Sequence, residues 1–299
     1  MHRDLDSGST APQLESRVRH EPTPPAGTRA QPTRHGPVAQ LLIAWAPLSL
    51  ILLAYAVAQW ISAPLGTGSS GTGSNRLGFA LHVTGPADVD RGVFGAIPTI
   101  WLQQRLVDGS AHWYDAAAAL VYVTHFVSIP LLTGLAWFCL RDRFTAWVAA
   151  VLAFTTLGVG GYIVYPAAPP WLASDLGVIG TVHRLSSPGW DYLHLDVVGR
   201  LIISGQEGSN PVAAMPSLHA GSAMLVALFL WPVANAWWRA ALLGYVVLMA
   251  LALVYTGEHY VVDAVAGWLT AGAGATVGSA VHRHRPRRRS AVELEATQA

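Results

Sequence analysis

Six long apolar stretches run through the chain, at 41–62, 116–140, 144–164, 218–238, 240–257 and 260–281, separated by shorter polar or Gly/Pro-rich connections. A helix needs about 20 residues to cross roughly 30 Å of hydrocarbon. The pattern therefore predicts an all-α, polytopic membrane protein with a six-helix transmembrane core. Two further stretches read differently. Residues 93–107 (VFGAIPTIWLQQRLV) are too few to span and carry Pro98 and Arg105, which predicts an interfacial or re-entrant segment. Residues 187–205 (SPGWDYLHLDVVGRLIISG) have the period of one short amphipathic helix, placed as a lid across a site. Trp171 and Trp190 in that loop suit an interfacial depth. Residues 1–37 are polar, rich in Pro and Arg, and lack the apolar core of a signal peptide. They predict a disordered tail ahead of a membrane domain at 38–282, with a basic tail at 283–299.

Composition agrees: of 299 residues, 52% are apolar and 12% charged, and mean hydropathy is +0.38, on the membrane side of ordinary globular usage. The net charge of +1 carries little information, but its distribution carries more. All 18 basic residues are arginine, which excludes lysine-based Schiff-base chemistry. Thirteen arginines (3, 17, 19, 29, 34, 141, 143, 239, 283, 285, 287, 288 and 289) fall on one side of the predicted spans. Five (76, 91, 105, 184 and 200) fall on the other. By the positive-inside rule both termini are cytoplasmic, in a multi-pass plasma-membrane protein, and the basic C-terminal tail meets anionic lipid. Cys139 is the single cysteine, so neither an intrachain disulfide nor a cysteine zinc site is expected. Lipids are the expected partners; nucleic acid is not.

This topology brings three unusual segments to the outer face: GYIVYPAAPPWL (161–172), PSLH (216–219) and GEHYVVD (257–263). His259 and Asp263 are four apart, and on a helix such residues share a face. A carboxylate on one ring nitrogen fixes the imidazole tautomer and leaves the other nitrogen basic or nucleophilic. Taken alone, the two also fit a structural hydrogen-bonded pair. Pro216 suits the first turn of a helix, and the N–H groups around Ser217, Leu218 and His219 offer an anion site. Ser217 adds a hydroxyl and His219 a proton for a leaving oxygen, although a capping serine beside an interfacial histidine has the same sequence. Together the motifs suit in-line phosphoryl transfer, one histidine attacking phosphorus and the other protonating the departing oxygen. Two histidines and a carboxylate also fit a metal triad, but the adjoining anion-binding turn argues against it, and no metal or cofactor is expected. Asp115, Tyr122 and His125 read as a helix-packing hydrogen-bond set, and Glu258 as solvent-facing or interfacial.

PSLH followed some forty residues later by HYVVD resembles the second and third motifs of the type 2 phosphatidic acid phosphatase superfamily, which includes vanadium haloperoxidases and bacterial acid phosphatases. YPAAPP, NPVAAMPSLHAG and GEHYVVDAVAG look like its inositol phosphorylceramide synthase-like branch. The likeness covers about residues 80 to 281. It implies a six-helix core with an extracytoplasmic site acting on a lipid-linked phosphate. His259 would be the nucleophile that becomes a phosphohistidine, Asp263 its orienting partner, His219 the general acid and Ser217 a phosphate ligand. It leaves open an inositolphosphotransferase-like activity, a lipid phosphate phosphatase, or a non-catalytic membrane protein with a degenerate site. The superfamily's first motif supplies a lysine and an arginine, yet no basic residue lies between Thr145 and Leu172, and Ala252 and Leu253 stand where the third motif has Ser-Arg. Arg200 on the lid is the first expected substitute cation, then Arg184, with Arg105 third.

Overall fold

A computed structural model describes residues 36–65 and 73–284. The tails expected at 1–37 and 283–299 fall almost wholly outside these residues. The first span, Pro37–Leu65, contains α1 (Pro37–Trp45) and α2 (Ser49–Ser62), joined by a 3₁₀ turn at Ala46–Leu48 where Pro47 interrupts the α-helical bonding. At the far end of that span lie α3 (Thr84–Phe94) and α4 (Pro98–Leu106). Two long helices follow, α5 (Trp113–Cys139) and α6 (Arg141–Val164), reversed through the single residue Leu140. Three short helices come next, α7 (Pro170–Asp175), α8 (Pro188–Tyr192) and α9 (Asp196–Glu207). The last described helices are α10 (Leu218–Leu230), α11 (Ala236–Tyr255) and α12 (Val261–Arg283). The described residues form no β-strand, only isolated bridges such as those linking His82, Ala167 and Ala213.

The all-helical class is as expected, and five of the six expected spans are matched by helices of sufficient length and apolar character. Five helical segments among the described residues are long and apolar enough to cross a membrane: Pro37–Leu65, α5, α6, α11 and α12. The sixth expected span, 218–238, is the 13-residue α10, about 20 Å long at 1.5 Å per residue. Its end comes early for local reasons. Pro232 has no N–H to continue the ladder, and Asn235 Oδ1 accepts from Trp238 N at 3.0 Å, capping α11. The turn is therefore at 231–235, not at the 239 boundary that apolar content suggested.

α10 is short but central. It packs against α5, α6, α11 and α12. Leu225, Val226 and Phe229 join Leu132, Trp147 and Phe154 in one buried cluster, and Ala220, Ala223 and Ala227 join Val246, Met249 and Leu253 in another. A helix apolar all round is a buried helix. Small residues bring its N-terminus against α12. A Cβ on Gly267 would strike the Ser217 carbonyl oxygen, and one on Gly221 would strike the Phe154 ring and the Gly267 carbonyl. Such contacts let two helix backbones approach closely, and they hold together the helix starts that carry the two motifs.

Two smaller expectations also change. Residues 93–107 comprise the end of α3, a turn at Gly95 (φ 74°) and α4. The single amphipathic helix at 187–205 is two helices, α8 and α9, broken where His194 adopts φ 56°. Trp190 is buried, and its Cβ packs beside Gly199 of α9.

Candidate active site

The starts of α5, α10 and α12 and the ends of α6 and α11 lie at one end of the bundle. Among them is a cavity of about 1080 Å³. One part of its wall is apolar, from Leu48, Ile51 and Leu52 of the first span, Phe126 and Ile129 of α5, and Phe154 of α6. Another part is polar, and holds His125, Arg184, Gln206, His219, Glu258 and His259.

The two motif histidines meet here, with ring centroids 5.7 Å apart. His219 sits in the first turn of α10, stacked on Tyr122 at 4.9 Å and tilted against His125 at 4.1 Å. His259 does not share a helix with Asp263, as the four-residue spacing implied. It lies in the extended segment before α12, after a turn in which Gly257 takes φ +76°. A side chain at Gly257 would also crowd the His183 carbonyl. The pair forms nonetheless: Asp263 Oδ2 is 3.5 Å from His259 Nδ1, a polar contact longer than a good hydrogen bond. The same oxygen accepts from Tyr260 N at 2.9 Å, closing the first turn of α12. His219 Nε2, His259 Nδ1 and Asp263 Oδ1 are all buried without a hydrogen-bond partner. Orphaned polar atoms are uncommon in folded proteins, and three at one place mark the site.

Asp90 of α3, which no sequence motif singled out, holds this segment from behind. Its Oδ2 and Oδ1 accept from Val261 N and Val262 N at 2.9 and 3.0 Å, taking up two of the free N–H groups at the start of α12. Burial pushes the Asp90 carboxyl above its ordinary value, against the lowering effect of those two bonds.

The remaining expected residues separate. Ser217 is fully buried and caps α10, its Oγ accepting from Ala220 N at 3.2 Å; its own N–H is bonded to the Asp263 carbonyl at 2.9 Å. It is not a cavity-lining residue, so it joins the two motifs structurally. Arg184 lines the cavity, lies over Trp171 at 4.6 Å, and grips Glu258 through Nε–Oε1 at 2.8 Å and Nη2–Oε2 at 3.0 Å. Arg200, the first choice from sequence, is exposed on α9 and does not line the cavity. The helix explains the correction. Ile202 and Gln206, one turn apart, face the cavity, and at about 100° per residue Arg200 is about 200° away from Ile202. Arg105 is also exposed, over the Trp101 ring.

Glu258 is corrected too: it is buried, at 8% exposure, and faces the cavity. Of the packing set on α5, Asp115 does accept from Tyr255 Oη at 2.5 Å, but Tyr122 and His125 also line the site. His125 Nδ1 lies 2.8 Å from Ser222 Oγ, and that hydroxyl donates to the His219 carbonyl at 2.9 Å. Ser222 therefore accepts from His125, which fixes the His125 tautomer with its proton on Nδ1. Gln206, also missed, bonds Glu258, Tyr122 and Ser186. The readable signal for Glu258 was an ionisable residue directly beside His259; Gln206 gave none.

The chain is similar to a phosphoinositol dihydroceramide synthase of Bacteroides thetaiotaomicron, 32% identical over 177 residues, covering 53% of this chain and 56% of the relative. It is also similar to the inositol phosphorylceramide synthase catalytic subunit of Schizosaccharomyces pombe, 29% identical over 158 residues, covering 51% of this chain and 37% of the relative. The chain thus spans about half or less of the length of these curated relatives. No solved structure matches it significantly. The model of the PAP2 superfamily matches residues 88–277, which contain both histidine motifs, Asp90, Arg184 and Glu258, and the chain belongs to that superfamily.

Proposed function

We propose that this protein is a membrane phosphotransferase that moves an inositol phosphate group onto the hydroxyl of a long-chain lipid, through a phosphohistidine on His259. The observation that carries the reading is the meeting of His219, His259 and Asp263 at the polar end of a cavity whose other wall is apolar. A lipid places its chain against Leu48, Ile51, Phe126 and Phe154 and its phosphate between the histidines. The names of the two relatives pair a phosphoinositol group with a ceramide, one moiety for each end.

In the first step Asp263 holds His259 with its proton on Nδ1, and the Nε2 lone pair attacks phosphorus. The bond from phosphorus to the lipid oxygen breaks, and that oxygen takes a proton from His219. In the second step the acceptor hydroxyl gives its proton to His219 and its oxygen attacks phosphorus. The P–N bond breaks and its electron pair returns to His259. Arg184 supplies the positive charge that the first motif lacks, through Nη1, the part of its fork not engaged by Glu258. The site faces the extracytoplasmic side and the termini the cytoplasm, by the arginine distribution. Nine of the thirteen inner arginines lie in the undescribed tails (five in 1–35 and four in 285–299).

The test is capture of the intermediate. Purified protein given phosphatidylinositol labelled in the headgroup should acquire acid-labile, base-stable label, lose it to added ceramide, and acquire none as His259→Ala. Release of label as free inositol phosphate with ceramide present would identify a phosphatase instead. No label and no turnover across lipid phosphates would support a non-catalytic protein.

A further inference from the structure

Glu258 is a puzzle for a site that needs positive charge. A buried Arg–Glu pair is weak evidence of stabilisation, because desolvating both charges costs about as much as their attraction returns. Glu258 also offsets part of the charge of Arg184, the one arginine on the cavity wall among the described residues. A site evolved only to hold phosphate has no use for this carboxylate. Yet it is held by three hydrogen bonds, two from Arg184 and one from Gln206 Nε2 of α9 at 3.1 Å. Gln206 is itself fixed by Ser186 Oγ at 2.8 Å and donates to Tyr122 Oη at 3.3 Å.

Resting on the phosphotransfer reading, we infer that Glu258, Arg184 and Gln206 form a headgroup subsite selective for a polyol, a ring or chain of neighbouring hydroxyls. The unused hydrogen-bonding capacity decides the ligand class. Glu258 Oε1 is saturated by two donors, whereas Oε2 has accepted one and has a lone pair left. Arg184 retains the N–H groups of Nη1, and Tyr122 Oη, having accepted from Gln206, retains its proton. The wall thus presents one acceptor and two kinds of donor within a pair of no net charge. Neighbouring hydroxyls both give and receive hydrogen bonds and match all of these. A quaternary ammonium headgroup has neither a donor for Oε2 nor an acceptor for the Arg184 and Tyr122 protons. A bare phosphate dianion only accepts and leaves Oε2 without a donor. The subsite adjoins the reacting group because Glu258, Arg184 and His259 line the same cavity.

The experiment uses the full chain in lipid nanodiscs with ceramide as acceptor and two donors: phosphatidylinositol, and phosphatidylethanol, which has the same phosphodiester and no free hydroxyl. Glu258→Gln keeps the shape and removes the charge. The phosphatidylinositol-to-phosphatidylethanol rate ratio should fall at least tenfold in Glu258→Gln and about threefold in Gln206→Ala, the second variant serving if the first does not fold. Separately, myo-inositol should raise the thermal unfolding midpoint of the wild type and of His259→Ala, but not of Glu258→Gln. An unchanged donor ratio, or an inositol shift that persists in Glu258→Gln or is missing from the wild type, overturns the subsite. Failure of the phosphotransfer reading shows differently: neither donor is turned over by the wild type, while the inositol shift and its loss in Glu258→Gln still report the subsite.

Discussion

The starts of α10 and α12 each deliver a histidine to the same cavity, but they hold it by different means. His219 is one residue inside its helix, and its ring is fixed by packing between Tyr122 and His125. His259 stands two residues ahead of its helix, in a segment fixed by polar contacts: Asp263 from within α12 and Asp90 from α3. The difference fits the two roles proposed above. A nucleophile must keep one tautomer and one line of approach, which a carboxylate at Nδ1 imposes. A proton donor and acceptor must change charge twice per cycle, and an aromatic stack tolerates that without a fixed partner. At both helix starts some of the free N–H groups are already taken, including that of Ser217 in the anion turn its sequence suggested. At α10 the Asp263 carbonyl takes the N–H of Ser217 and Ser217 Oγ that of Ala220; at α12 Asp263 takes that of Tyr260, and Asp90 those of Val261 and Val262.

The contrast is broken most severely at His259. Changing it to Ala should reduce lipid turnover to background, since His259 is the one cavity-lining histidine among the described residues that stands against an aspartate; measurable turnover would remove the covalent step. His219→Ala should be milder, a loss of roughly 10²–10⁴. In that variant the deficit should shrink for donors with acidic leaving alcohols, because they need no proton. An equal deficit for good and poor leaving groups would take His219 out of the acid role. Third comes the cation. Arg184→Gln should lower turnover by about 10²-fold or more, the usual worth of one donor to transition-state charge, while Arg200→Gln should leave it within about twofold. The reverse order would mean that α9 presents its other face to the substrate.

The smallest effect concerns the support behind α12. Because burial raises the folded Asp90 carboxyl above its ordinary 3.8, its contribution to stability is full below that value and is lost as pH rises through the raised one. Asp90→Asn has no such titration. Its thermal midpoint should therefore gain on the wild type as pH rises from about 3.5 to about 7, whatever the constant offset between them. A flat difference across that window would mean that Asp90 is solvated in the folded protein.

Much of this was legible in the chain. Apolar run length gave the long helices because a lipid-facing helix must be apolar over its whole length. α10 broke the rule because its neighbours, not lipid, surround it, so its length answers to packing. The histidine motifs were readable because local sequence places His219 at a helix start and His259 near Asp263. Distinguishing Arg184 from Arg200 was not, since each is one arginine in a long loop. What separates them is the tertiary contact of Arg184 with Glu258, 74 residues away in sequence, and the rotation of α9 about its own axis. The same holds for Asp90, which meets α12 across 171 residues.

Cys139 closes α5 at the end of the bundle away from the histidines, and it is exposed. As the chain's single thiol, it is a native address label for the far face. On intact cells a membrane-impermeant maleimide should leave it unmodified, and permeabilisation should expose it to stoichiometric labelling. Because the reagent has no other cysteine to find, one gel-shift assay reports which side of the bilayer the chemistry faces without altering a residue.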